Sequence, residues 1–250
     1  MTSSEWQYKT NCNVPASCQL PRGLKRVAAI LSYNGKDFCG FQKQNHSPSL
    51  QEQIEKAFSY VANQKIIVSC AGRTDTGVHA KEMYAHFDTS NLINCNILVN
   101  KLNLFLCRDI VIFSIFNVDE KFHARFDAIS RTYEYIISNY KNPFNYNFAY
   151  NYRGFLDFDL MNTASELLIL NKDFASFSKY SLSKSTICNV TYARWYNDGK
   201  DWIFKIKSNR FLRNMVRSIG GNLIFEGQPE NLINNKKSLT STFLNDKLKY

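Results

Sequence analysis

The sequence has no paired cysteine motif, no long apolar run and no block of like charge. Its seven cysteines, Cys12, Cys18, Cys39, Cys70, Cys95, Cys107 and Cys188, are odd in number and form no C-x-x-C pair. Neither a zinc site nor a disulfide framework is supported, and free thiols in a reducing cytosol are expected. The N-terminus lacks the apolar core of a secretory signal or a membrane span, so a cytoplasmic chain without membrane contact is expected. No lysine tail concentrates the basic charge, and no sequence repeat relates the two halves of the chain.

What is present is basic and aromatic. Over 250 residues, 31 Lys and Arg face 21 Asp and Glu, a formal net charge of +10. Such an excess favours a polyanion, nucleic acid before an acidic membrane surface, although a basic surface that binds nothing has the same composition. Heavy use of Asn, Lys, Ile and Tyr also fits an AT-rich genome, which raises the lysine count without function. Nineteen Phe and 14 Tyr supply core, and those near Arg and Lys can stack on unpaired bases.

Residues 1–22 read as a loose polar leader. A strand over Arg26–Tyr33 is followed by the turn Asn34-Gly35. Ser49 and Glu52 have capping-box spacing, and Leu50, Ile54, Ala57, Phe58 and Val61 make the apolar stripe of a helix. Ile66–Cys70 reads as a buried strand, Met83–Phe87 as another. Ile93, Ile97, Leu98, Leu102 and Phe105 suggest a second helix, and Ile110–Val118 a further strand. The order strand, helix, strand, strand, helix, strand is the split βαβ pattern of a ferredoxin-like unit. The second half rhymes with it: strands over 129–138, 189–196 and 202–207, a hairpin turn at Asn197-Asp198-Gly199-Lys200, a helix that Asp159 could cap, and a last helix marked by Phe211, Met215, Ile219 and Leu223. The expected architecture is α+β: two ferredoxin-like lobes, 23–124 and 125–250, their seam within 119–130, with a cleft between them.

Chemistry concentrates in Ala71-Gly72-Arg73-Thr74-Asp75-Thr76-Gly77-Val78-His79-Ala80. Two glycines bracket Asp75 and allow a sharp turn and close approach of another molecule. A carboxylate at a strand end, with Arg73 two residues earlier, can stay ionised as a nucleophile or general base. Asp between Thr and Gly equally suits an ordinary turn. Tyr133, in an alternating strand with Tyr135, fits packing as well as function. Arg213 and Arg217, four apart on a helix, fit a solvated face as well as a cleft lining. His79 and His123 read as structural hydrogen-bonding groups, and Lys172–Phe177 as packing and loop-shaping.

Four segments together resemble the TruA family of tRNA pseudouridine synthases: Tyr33–Gln44, the Asp75 string, Phe122–Ala128 with Arg131–Tyr135, and Phe211–Arg217. The resemblance spans about residues 25–227. It implies a uridine-to-pseudouridine isomerase acting on the tRNA anticodon stem-loop (tRNA positions 38 to 40), a homodimer without metal or organic cofactor, whose two lobes share a mainly antiparallel sheet with the active site in the cleft. It matches Asp75 to the catalytic aspartate, Tyr133 to a tyrosine packed on the target base, Arg217 to the aspartate's basic partner and Arg73 to an arginine linked to base flipping. The target uridine must leave the stack to be reached.

The sequence departs from the family at Asn34, where Asp is usual, and after Gly227, where Ser241-Thr242-Phe243-Leu244 is a worn version of the family's apolar strand. Two other readings follow: a tRNA-binding or RNA-chaperone protein with decayed catalysis, and a basic RNA-recognition module whose lobes stack bases on an open sheet.

Overall fold

The computed structural model describes residues 23–90, 94–178 and 185–226. The leader 1–22, Ile93 and Ser241–Leu244 lie outside the described residues. The chain divides into two compact units, Met1–Ile129 and Ser130–Tyr250.

The first unit runs β1 (Lys25–Tyr33), α1 (Leu50–Ala62), β2 (Ser69–Cys70), β3 (Ala80–Thr89), α2 (Cys95–Phe105) and β4 (Ile110–Asn117). Its sheet has the order β2-β3-β1-β4, and every pair is antiparallel. Helix α1 starts where Ser49 Oγ accepts from the Glu52 N–H at 3.3 Å, satisfying one of the orphan donors of the first turn. It ends at Asn63, a left-handed cap at φ 51°. Its buried stripe is Leu50, Ile54, Ala57 and Phe58. These residues pack on Val27, Ala29, Leu31 and Tyr33 of β1, on Phe87 of β3, and on Leu98 and Leu102 of α2, in one core. Ala28 points to the opposite face of the sheet, where Phe122 and Ala124 cover it.

Two local expectations change. Only Ser69 and Cys70 of the 66–70 run are paired as strand. Upstream, helix side chains replace a neighbouring strand: Ile66 N–H donates to Ser59 Oγ (2.9 Å), Val68 N–H to Glu55 Oε1 (3.0 Å), and Gln51 Nε2 to the Val68 carbonyl (3.1 Å). Ile67 is exposed. In α2 the buried residues are Leu98 and Leu102, whereas Ile97 and Phe105 are exposed, Phe105 stacking on Tyr60.

The second unit contains β5 (Arg131–Ser138), β6 (Tyr150–Asn151), α3 (Phe158–Leu170), a 3-10 turn at Ala175–Phe177, β7 (Val190–Asn197), β8 (Trp202–Ser208) and α4 (Met215–Glu226). The sheet order is β6-β5-β8-β7, antiparallel except for β5 with β6. The described strands thus form two mainly antiparallel four-stranded sheets, one in each unit. The cap of α3 is Asp157, not Asp159: Asp157 Oδ1 accepts from the N–H groups of Asp159 and Leu160. The helix starts one residue later, at Phe158, whose ring stacks on Trp202 with centroids 3.6 Å apart. Phe174 and Phe177 are buried in this unit's core, so the 172–177 segment packs as the sequence indicated.

Candidate functional site

Asp75 stands on a loop held from two sides. Below it, Ala71 N–H donates to the Tyr84 carbonyl of β3 at 2.8 Å, and the buried Thr74 shares a 2.8 Å hydrogen bond between its hydroxyl and that of Tyr33. Alongside it runs the segment after β1: Phe41 N–H donates to the Thr74 carbonyl (3.0 Å) and Gly77 N–H to the Phe38 carbonyl (3.3 Å). That segment is itself fixed to the start of α1, because Leu50 N–H donates to the Gly40 carbonyl and Gln51 N–H to the Phe41 carbonyl. Two glycines permit the approach. A Cβ on Gly35 would lie 2.0 Å from the Val78 carbonyl oxygen. One on Gly40, at φ +92°, would lie 2.7 Å from the Thr74 carbonyl oxygen. Gly77 takes φ +74° and lets Val78 N–H close a turn onto the Asp75 carbonyl at 3.1 Å.

The Asp75 side chain is half-buried and Arg73 is exposed. Arg73 does not form an ion pair with Asp75 among the described residues, whose pairs include Arg26–Asp88, Lys56–Glu52 and Lys205–Glu134. The nearby residue that could compete as a nucleophile is Cys70. Burial pushes its thiol up to about 11, against the opposing influence of the Gly72 carbonyl, Arg73 and Arg125, so it is not a thiolate at neutral pH. His79 accepts at Nδ1 from the Gly35 N–H (3.1 Å) and braces the loop. Among the described residues no group of His, Cys, Asp and Glu could hold a metal ion, and no helix is long and apolar enough to cross a membrane.

In the second unit, Tyr133 and Tyr135 are partly buried against the core on one face of β5. Tyr133 meets the Phe211 ring edge-on, with centroids 5.1 Å apart. Tyr135 packs on Gly220 of α4, where an added Cβ would sit 3.4 Å from its ring. Burial, then Tyr150, raise the Tyr135 phenol above its usual range while the Arg217 guanidinium pulls it down. Arg217 is therefore electrostatically coupled to the Tyr135 end of β5. It is exposed on the first turn of α4, opposite the buried Met215, Ile219 and Leu223. Arg213 is likewise exposed, on the turn that precedes the helix.

Sequence patterning missed His86 and the packing role of Gly35 and Gly40. An isolated histidine in a strand carries no signal, and the glycines sit in a segment whose partner is more than 30 residues away.

A family model described as tRNA pseudouridine synthase matches residues 29–127 and 164–250. The chain is 42% identical over 207 residues to a tRNA pseudouridine synthase A of Parabacteroides distasonis, covering 82% of each chain. It is 43% identical over 209 residues to that of Porphyromonas gingivalis, covering 82% of this chain and 83% of the other. A third, from Azobacteroides pseudotrichonymphae, is 40% identical over 218 residues, 87% of this chain and 85% of its own.

Proposed function

The chain belongs to the tRNA pseudouridine synthase family, and on that footing we propose that it converts uridines of the tRNA anticodon stem-loop, tRNA positions 38 to 40, with Asp75 as the catalytic carboxylate. As an isomerase it converts uridine to pseudouridine. The reaction breaks the C1′–N1 bond, turns the uracil, joins C1′ to C5 and moves the C5 proton away, with N1 gaining one. Nothing is oxidised or lost, so the chemistry asks for a charged group near C1′, a surface that holds the freed base, and a cation beside the carboxylate.

In this reading Asp75 either attacks C1′ or takes a sugar proton. Tyr133 packs on the base, Arg217 pairs with the carboxylate and Arg73 helps hold the nucleotide out of the stack. The observation that carries the reading is the bracing of the Asp75 turn by backbone on both sides, at Gly35 and Gly40. Preorganisation of that kind is what a reacting carboxylate needs and an ordinary turn does not. Strand order β2-β3-β1-β4 with two helices supports a ferredoxin-like first lobe. The family match continues to residue 250, through the segment that Ser241–Leu244 occupies, which favours a working enzyme over a decayed binder. The protein acts in the cytoplasm as a homodimer, a state that sedimentation velocity measures.

Incubation with unmodified tRNA, followed by mass-spectrometric mapping, tests the assignment. Wild-type protein is expected to place pseudouridine in the anticodon arm, and D75A and D75N to form none. Product from D75A would remove Asp75 from the mechanism.

A further inference from the structure

The segment Phe122-His123-Ala124-Arg125-Phe126 has no task in the chemistry above, yet its backbone is tied at almost every position. Arg26, buried on β1, forks onto Asp88 through Nε (2.8 Å) and Nη2 (3.0 Å) and donates Nη1 to the Phe122 carbonyl (2.9 Å). His123 N–H donates to Asp127 Oδ2 at 2.7 Å, and the His123 carbonyl accepts from the N–H groups of Phe126 and Asp127. Ala124 N–H donates to His86 Nδ1, and Arg125 N–H to His123 Nδ1, both at 3.2 Å. The two imidazoles meet edge to face, 4.6 Å apart. Burial first, then neighbouring positive charge, holds both rings below the ordinary histidine range, His86 down to about 3. Each Nδ1 therefore remains an acceptor at neutral pH.

This frame carries two exposed side chains outward. The Arg125 guanidinium lies 5.8 Å from the centre of the Phe126 ring. A guanidinium whose backbone is preset loses less freedom on binding than one on a loose loop, and its fork matches phosphate oxygens. His86, which accepts from the Ala124 N–H, lies opposite Ser69 in the β2–β3 pairing, next to Cys70 at the strand end that leads into the Asp75 loop. Arg125 thus flanks the root of that loop within the first unit.

We propose that Arg125 contacts a phosphate of the tRNA backbone next to the target nucleotide, and that His86 and His123 are positioning residues that aim it. The proposal rests on the tRNA reading above and adds a substrate contact to it.

The test uses the full chain and unmodified tRNA. Wild-type product formation is the control: its absence overturns the tRNA reading itself, whatever the variants do. With wild type active, R125Q is expected to raise KM about tenfold to a hundredfold while kcat stays within about twofold, the loss of one charged hydrogen bond. The slope of log affinity against log salt should fall by about 0.7–0.9, one phosphate fewer, whereas R125K retains it. H123A should raise KM as R125Q does and add less than about twofold to it in the double variant, because one contact is lost only once. H123N, whose Oδ1 can accept in place of Nδ1, should restore KM. Wild-type KM and salt slope in R125Q overturn the phosphate contact. Effects of H123A and R125Q that multiply overturn the positioning role.

Discussion

Replacing Gly35 by Ala drives a methyl group into the turn that carries Asp75. The added Cβ would stand 2.0 Å from the Val78 carbonyl oxygen and 2.8 Å from its carbon. Ordinary carbon–oxygen contacts need roughly 3.3–3.6 Å, so one backbone must retreat by more than an ångström. Neither side is loose. Asn34 N–H is bonded to the Asp109 carbonyl (2.9 Å), Gly35 N–H to His79 Nδ1 (3.1 Å), and Phe38 N–H to the Gly35 carbonyl (3.1 Å). Val78 is closed onto Asp75 by its own hydrogen bond, so its retreat moves the carboxylate. Overpacking of this kind costs about 1–3 kcal/mol, and an ångström of misplacement costs about 100-fold in rate. Single-turnover pseudouridine formation on unmodified tRNA, with a urea midpoint on the same sample, separates the two effects. Gly199→Ala is the control. It meets open space at φ +92° in the β7–β8 hairpin, so about 1–2 kcal/mol of left-handed strain is expected without loss of rate. A G35A protein that turns over within about threefold of wild type, well short of that 100-fold loss, refutes the claim that this contact sets the carboxylate.

The remaining predictions concern the buried frame of the first unit. His86 sits folded at about 3 against an ordinary 6.5, so the unfolded chain binds the extra proton below 6.5. Stability is full above that value and is lost as pH falls toward 3, by ~2 kcal/mol between pH 7.5 and pH 5. His123, Arg26 and Asp88 face the same ring. H86N, which keeps an acceptor but no proton site, should flatten the pH dependence of the unfolding midpoint over that range, and an unchanged slope would exclude His86 as its source. Arg26→Met leaves Asp88 and the Phe122 carbonyl without their buried donor, and a loss of about 3–5 kcal/mol is expected. Chemical denaturation measures it, and a loss under about 1 kcal/mol, the worth of a surface pair, would mean the pair behaves as an exposed one.

The elements that were legible are those whose determinants lie within one or two turns of chain. Ser49, Glu52 and the Leu50, Ile54, Ala57, Phe58 stripe specify α1 because cap and stripe are local. The turn at 197–200 is legible for the same reason: Asn197 Oδ1 accepts from Gly199 N–H, and Asp198 Oδ1 accepts from the N–H groups of Lys200 and Asp201. Where two local choices compete, distant packing decides. Asp157 and Asp159 are equally good caps by type, and the stacking of Phe158 on Trp202 accompanies the choice of Asp157. The residues 66–68 form an apolar run like that of a buried strand, but their backbone is satisfied by Ser59, Glu55 and Gln51 of α1, which no strand pattern encodes.

The candidate site divides along the same line. Asp75, Tyr133, Arg217 and Arg73 were readable as residue types in recognisable strings, and the flanking glycines announced a turn.

By itself the sequence determined the chemistry on offer: a carboxylate between glycines, aromatic strands, arginines near both, and family membership. Tertiary structure decided how that chemistry is held. Gly35 meets His79 across 44 residues, His86 meets Ala124 across 38, and Arg26 meets Phe122 across 96. Periodicity and capping rules reach only a few residues along the chain, while the hydrogen bonds that aim these side chains close loops ten times longer.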